Sequence, residues 1–269
     1  MSLNLDSVNA KLQRAEQHMQ SLQNEITAWM ATEPYVTRPV VNADSTRYSI
    51  IAYLVGKEPP LQAWTLVVGD SLHNLRCALD HLVYAIAVHE SGTDPPPDEN
   101  KLMFPIADTL VKFNESAQRI RTLSAPVRDA IEAVQPYRRP HPKLPPPLAI
   151  LRDLENIDKH RLLRLAFAGI GDAEIELGGV PNPYAGQPEL TSNAGDIKDG
   201  TEVVAFVFNA PNPGMKFVKA KTDLMISLWH GKKDPSDHPW HERNECHTVL
   251  TLLTSEVRTV VNTVVAAVR

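Results

Sequence analysis

Two cysteines in 269 residues, Cys77 and Cys246, are too few for a disulfide framework, and without a C-x-x-C pair they do not spell a zinc ribbon. Both are expected to be reduced thiols. No apolar run approaches the roughly 18 residues of a membrane span. The opening residues MSLNLDSVNAKL lack the basic start and apolar stretch of a secretory signal, so a cytoplasmic protein with no membrane partner is expected. Basic excess is missing as well. With 27 Lys and Arg against 32 Asp and Glu, the net charge is -5, which excludes a broad electrostatic grip on nucleic acid and confines any RNA contact to a local patch. The signatures G-x-x-x-x-G-K-S/T, G-x-G-x-x-G after a strand and G-x-S-x-G are all absent, which argues against P-loop nucleotide hydrolysis and serine-hydrolase chemistry.

What is present is apolar residues enough for a sizeable core, 43% of the chain, arranged with two different periods. From Leu5 to Met30, apolar residues recur every three or four positions, which predicts a long amphipathic helix with Lys11, Arg14, Glu16 and Gln17 on its polar side. Thr32, Glu33 and Pro34 end it, and a linker or edge segment follows. Arg47 to Val55 is β-branched and aromatic with partial alternation, the pattern of a strand. A helix starting after Pro60 runs through 69 to 89. Phe104-Pro105-Ile106 is expected to tuck against the core, with shorter helices at 111 to 123 and 126 to 134, then an extended proline-rich stretch, 135 to 147. A helix is predicted over 148 to 165. Period-two patterning then marks strands at 164 to 170, 173 to 177, 201 to 208 and 215 to 228. A long loop at 178 to 200, another at 234 to 241 and a closing helix at 242 to 268 complete the reading.

The fold these elements predict is α+β: a helical bundle with a small antiparallel sheet of about four strands packed at one side. Residues 1 to 165 would form a mainly helical part with one strand, and 166 to 269 a sheet-forming segment and closing helix, the whole being one integrated domain.

The stretch GDSLHNLRCALDHLVYAIAVH carries the densest directed chemistry. At about 100° per residue its leucines, Val83 and Ile86 fall on one face, while Asp70, His73, Asn74, Cys77, Asp80, His81 and Tyr84 line the other. An ordinary wet face shows Lys and Glu; this one shows short side chains that make oriented hydrogen bonds. In the helix at 148 to 165, Asp153, Asn156 and His160 share a face. The two polar faces are expected to meet, with His81, Asp80 or Asn74 reaching Asn156 or His160, because such groups buried unpaired cost about 1 to 3 kcal/mol each.

Arg76 and His81 spell R-x4-H, and here the chain resembles the HEPN superfamily, helical proteins many of which are metal-independent ribonucleases with an R-x4-6-H motif. GDSLHNLRCALDHL, with LENIDKHRLL downstream, also resembles a bacterial protein group without assigned function. The resemblance implies an endoribonuclease of toxin or phage-defence type acting on RNA without a cofactor, in a homodimer, with an antitoxin protein as a possible partner. Arg76 and His81 would be its catalytic pair. His81 would act as general acid or base and Arg76 would stabilise the phosphate, with Asp70, His73, Asn74, Asp80, Asn156 and His160 in support. The chain departs from the pattern at Cys77, where a polar residue commonly follows the Arg, and at Val83, where the toxin subset has Tyr. The carboxyl-terminal third lies outside the resemblance.

Two other readings stand beside it. His73, Cys77 and His81 are spaced four apart, with His160 as a fourth donor, a set zinc accepts if the helix bends to offset a drift of about 40° per step. Alternatively, the protein is a noncatalytic interaction or scaffold protein, with Arg76 in a salt bridge and His81 bonded to a carboxylate such as Asp153. Residues five apart lie about 140° apart on a helix, so the ribonuclease reading requires Arg76 to curl round to the His81 side or to serve a partner's site. The discriminating observation is whether Arg76 and His81 open together into a groove.

Overall fold

The computed structural model describes residues 2–139, 145–167, 173–192, 196–222, 224–229 and 244–268. It is an α+β structure. The first helix, α1 (Asp6–Met30), buries Val8, Leu12, Ala15 and Leu22 at the spacing its sequence implies. It lies antiparallel on α2 (Leu61–Ser91), whose buried face includes Leu72, Leu75, Leu79, Leu82, Val83 and Ile86. Two polar contacts fix the register of the pair: Trp64 Nε1 donates to Glu25 at 3.1 Å, and the Ser71 hydroxyl donates to the Ala15 carbonyl at 3.2 Å. Helix α2 ends at Gly92, whose φ of 72° is the left-handed stop that glycine takes without steric cost.

Between α1 and α2 lies a β-hairpin of β1 (Tyr35–Val41) and β2 (Arg47–Leu54), so the stretch read as a linker or edge segment contains an edge strand. Its strand pattern is weak because β1 is at the sheet edge, with its last four residues exposed and Pro39 within it, and an edge needs neither alternation nor every N–H. After α2, the chain forms α3 (Leu110–Ser116) with a single 3-10 turn behind it, α4 (Ala125–Ala133) and α5 (Pro147–His160). Helix α5 stops at His160, short of the predicted 165. Arg161 is extended at φ -163° and ψ 157°, which delivers residues 164 to 167 to a sheet ladder instead.

The remaining strands are β3 (Arg164–Phe167), β4 (Ala173–Gly179), β5 (Glu189–Ser192), β6 (Thr201–Val207), β7 (Met215–Thr222), β8 (Ile226–Trp229) and β9 (Asn244–Glu245), before the closing helix α6 (Cys246–Val265). Among the described residues, the strands form three antiparallel sheets, not one: β1-β2-β6-β5, β3-β8-β9 and β4-β7. The predicted loop at 178 to 200 thus contains the short edge strand β5, and the predicted strand at 215 to 228 is divided into β7 and β8, which pair in different sheets. The predicted loop at 234 to 241 lies outside the described residues.

One apolar core runs from Val8 to Val264 and draws on both parts of the chain, while β2 pairs with β6 across the expected boundary at 165. Trp29 ties helix to sheet, with its ring centroid 5.7 Å from Trp64 and 5.2 Å from Phe167. A smaller core of Tyr48, Ala185 and Phe208 closes the far side, where the Tyr48 hydroxyl donates to the Asn212 carbonyl at 2.6 Å. Helix α6 contacts α1, α2, α4 and α5, and α5 contacts α2, so the polar side of α2 is framed by α1 and α5.

Candidate functional site

Arg76 and His81 do not open together. The Arg76 guanidinium donates to Asp80 at 2.9 Å, one turn further along α2, and to the carbonyl of Phe104 at 2.6 Å. Asp80 in turn accepts the Phe104 N–H at 2.8 Å. The pair therefore clamps both backbone groups of one residue in the segment after α2, and only 11% of the Arg76 side chain is exposed. Burial pushes the Asp80 carboxyl above the usual range despite the neighbouring cation. Phe104 and Pro105 are buried, as the apolar plug in the sequence implied. A second clamp holds the same segment: buried Gln135 donates to the Pro105 and Ile131 carbonyls and accepts the Ala107 N–H, all within 3.0 Å.

His81 faces another way. It is half-buried on the α1 side of α2, and burial together with the nearby Lys11 ammonium lowers its pKa, against a smaller pull upward from Asp80. Lys11 crosses from α1, its Nζ 3.4 Å from Asn74 Oδ1, while the Asn74 amide donates to the Asp70 carbonyl at 2.8 Å. Cys77 Sγ lies 3.4 Å from His73 Nε2, and burial raises its thiol pKa, so it is not an activated thiolate. Further along α1, burial and Arg14 lower His18, with Asp70 opposing.

The groove between the helices widens at the amino-terminal end of α1 into an open cavity of about 600 Å³, within the size range of small-molecule sites. Ser2, Asn4, Asp6, Ser7, Tyr84 and Asp94 supply its polar lining, over Ala85 and Val88. The Tyr84 hydroxyl donates to Asp94 at 2.8 Å. His81 and Lys11 do not line this cavity, but His81 precedes Tyr84 on α2 and Lys11 follows Ser7 on α1, each by one helical turn.

At its other end the α2 face meets α5, but not through the expected residues. Asn156 and His160 are exposed, and no hydrogen bond among the described residues joins them to His81, Asp80 or Asn74. Asp158 makes the approach instead, at Gly69: a Cβ there would stand 2.6 Å from its carboxylate. Burial, Asp70 and Glu155 raise the Asp158 pKa, and His73 lowers it. Asp153 accepts from Arg152 at 2.7 Å, and no hydrogen bond among the described residues joins it to His81. Among the described residues, no three His, Cys, Asp or Glu side chains are placed to hold a metal ion, so His73, Cys77, His81 and His160 do not converge into the zinc set that their spacing suggested.

Sequence reasoning missed the roles of Lys11, Gln135 and Asp158. Lys11 was visible as a polar-face residue. Gln135 carried no signal, because its partners are backbone groups about 30 residues away. Fold and site together define an α+β protein with a polar interhelical groove. No family model, curated protein or solved structure matches the chain.

Proposed function

We propose that this chain is a noncatalytic binding protein in which α1, α2, α5 and α6 act as a helical bundle and the groove between α1 and α2 is the working surface. The destination of Arg76 carries the reading. RNA cleavage through the 2'-hydroxyl needs a proton acceptor and a cation at one phosphate. The Arg76 guanidinium is committed to Asp80 and Phe104, on a different side of α2 from His81. Arg76 is thereby a structural residue, and the Asn74, Cys77 and His81 side, with its adjoining cavity, is left to meet a ligand.

One observation favours a second reading, the HEPN-like endoribonuclease of toxin or phage-defence type. Lys11 stands near a His81 held toward its neutral form, which supplies a base and a cation without Arg76. In that reading RNA is the substrate, the chain works as a homodimer, and an antitoxin protein restrains it. Incubating purified protein with mixed RNA in EDTA, and again with zinc or manganese, beside Arg76→Ala, His81→Ala and Cys77→Ala variants separates the readings. The binding protein leaves RNA intact in every lane. EDTA-resistant cleavage lost in His81→Ala establishes the ribonuclease; activity or stoichiometric metal lost on chelation, or in Cys77→Ala, establishes a metal centre.

A further inference from the structure

We propose that Lys11, Asn74 and His81 form a subsite for the phosphate group of a phosphate monoester whose hydroxyl-bearing remainder occupies the adjoining cavity; this rests on the reading of the α1–α2 groove as a binding surface. Residues 74, 77 and 81 recur at helical spacing along one side of α2, and Lys11 reaches that side from the facing helix. Asn74 is held in place by its own amide, which donates to the Asp70 carbonyl, so its side-chain oxygen is turned to Lys11. That 3.4 Å contact is the one hydrogen bond Lys11 makes among the described residues. It forms no ion pair there, so most of its donor capacity is free. His81 has no hydrogen-bond partner among the described residues.

The charges facing this spot favour an anion. Lys11 is the near cation. Asp80 is occupied by Arg76 and the Phe104 N–H. Glu155, brought in by α5, is paired with Lys159 at 2.7 Å, and Asp70 lies a turn away on the far side of Asn74. A phosphate monoester offers three acceptor oxygens and a second ionisation near pH 6, close to that of histidine, so it takes the ammonium donors and draws a proton onto His81. A carboxylate has fewer oxygens and one charge. The cavity near it presents Ser2, Asn4, Ser7, Tyr84, Asp6 and Asp94 and no cation among the described residues, a lining matched to hydroxyl groups and hostile to a second phosphate.

The test uses the full chain and imidazole NMR, titrating inorganic phosphate or a ribonucleoside 5'-monophosphate at fixed ionic strength against chloride. The expected result is a saturable shift of the His81 signals and a rise in its pKa with both phosphates. The nucleotide should bind at least about tenfold tighter, equivalent to ~1.4 kcal/mol. Lys11→Met should abolish the His81 response while leaving the other imidazole signals in place. No saturable response, or an undiminished one in Lys11→Met, overturns the subsite. Equal affinity for the two phosphates overturns the monoester and leaves a free-phosphate site. If phosphate leaves His81 unmoved while an unphosphorylated polyol shifts Tyr84, the subsite falls and the groove reading stands. If His81-dependent RNA cleavage accompanies phosphate binding, the noncatalytic reading falls and the subsite stands.

Discussion

Gly69 of α2 lies directly beneath the carboxylate of Asp158 of α5: a Cβ on the glycine would come within 2.6 Å of Oδ2 and 2.8 Å of Cγ. A buried helical glycine costs about 1 kcal/mol relative to alanine, so its presence marks a place where closeness outweighs helix propensity. Gly69→Ala alone should therefore gain nothing, because Asp158 must swing away. In an Asp158→Ala background the same change should stabilise by about 1 kcal/mol. Urea denaturation of the four proteins measures the coupling, and additive effects would refute the contact.

Arg76→Ala should destabilise the fold by about 2 to 4 kcal/mol, because it leaves Asp80 without its cation and the Phe104 carbonyl without its donor. Arg76→Lys should recover only part of this, since a single ammonium cannot reproduce the planar fork. Chemical denaturation tests both; a near-neutral Arg76→Ala would sink the structural assignment.

Gln135→Leu keeps most of the side-chain volume but removes partners from the Pro105 and Ile131 carbonyls and the Ala107 N–H. A loss of about 2 to 5 kcal/mol is expected, with early hydrogen exchange confined to residues around 104 to 107. Unchanged exchange in that segment would count against its being clamped there.

His81 titrates below its ordinary value of 6.5 in the fold, through burial first and Lys11 second. A depressed histidine makes the folded state bind its proton less readily than the unfolded state. The associated stability is present above pH 6.5 and is lost as pH falls through the folded value. His81→Gln should flatten the decline in melting temperature between pH 7 and 5, by well under about 1 kcal/mol because water screens this partly exposed site. Lys11→Met should raise the His81 pKa, read directly by NMR; a fall would contradict the placement of the ammonium.

Local sequence determined what depends on local periodicity. Leu12, Ala15 and Leu22 recur at helical spacing and bury one stripe of α1; Leu72, Leu75, Leu79 and Leu82 do the same for α2; the short β-branched and aromatic run from Thr201 to Val207, buried at its centre, suffices for β6. The polar composition of the α2 face was equally legible, since spacing along one helix fixes which side chains share a side. The tertiary structure alone decided what those side chains meet. R-x4-H names two residues about 140° apart, and whether they cooperate depends on what approaches each side: Phe104 takes Arg76, and Lys11 comes to the other side from 63 residues upstream of Asn74. The division of the strands among the described residues into three sheets was likewise invisible, because a strand pattern reports a buried face and not a partner. Helix α5 shows the same boundary: residues 161 to 165 fit its apolar period, yet β8 offers the backbone of Arg164 to Phe167 a ladder, and long-range hydrogen bonding overrides a weak local preference.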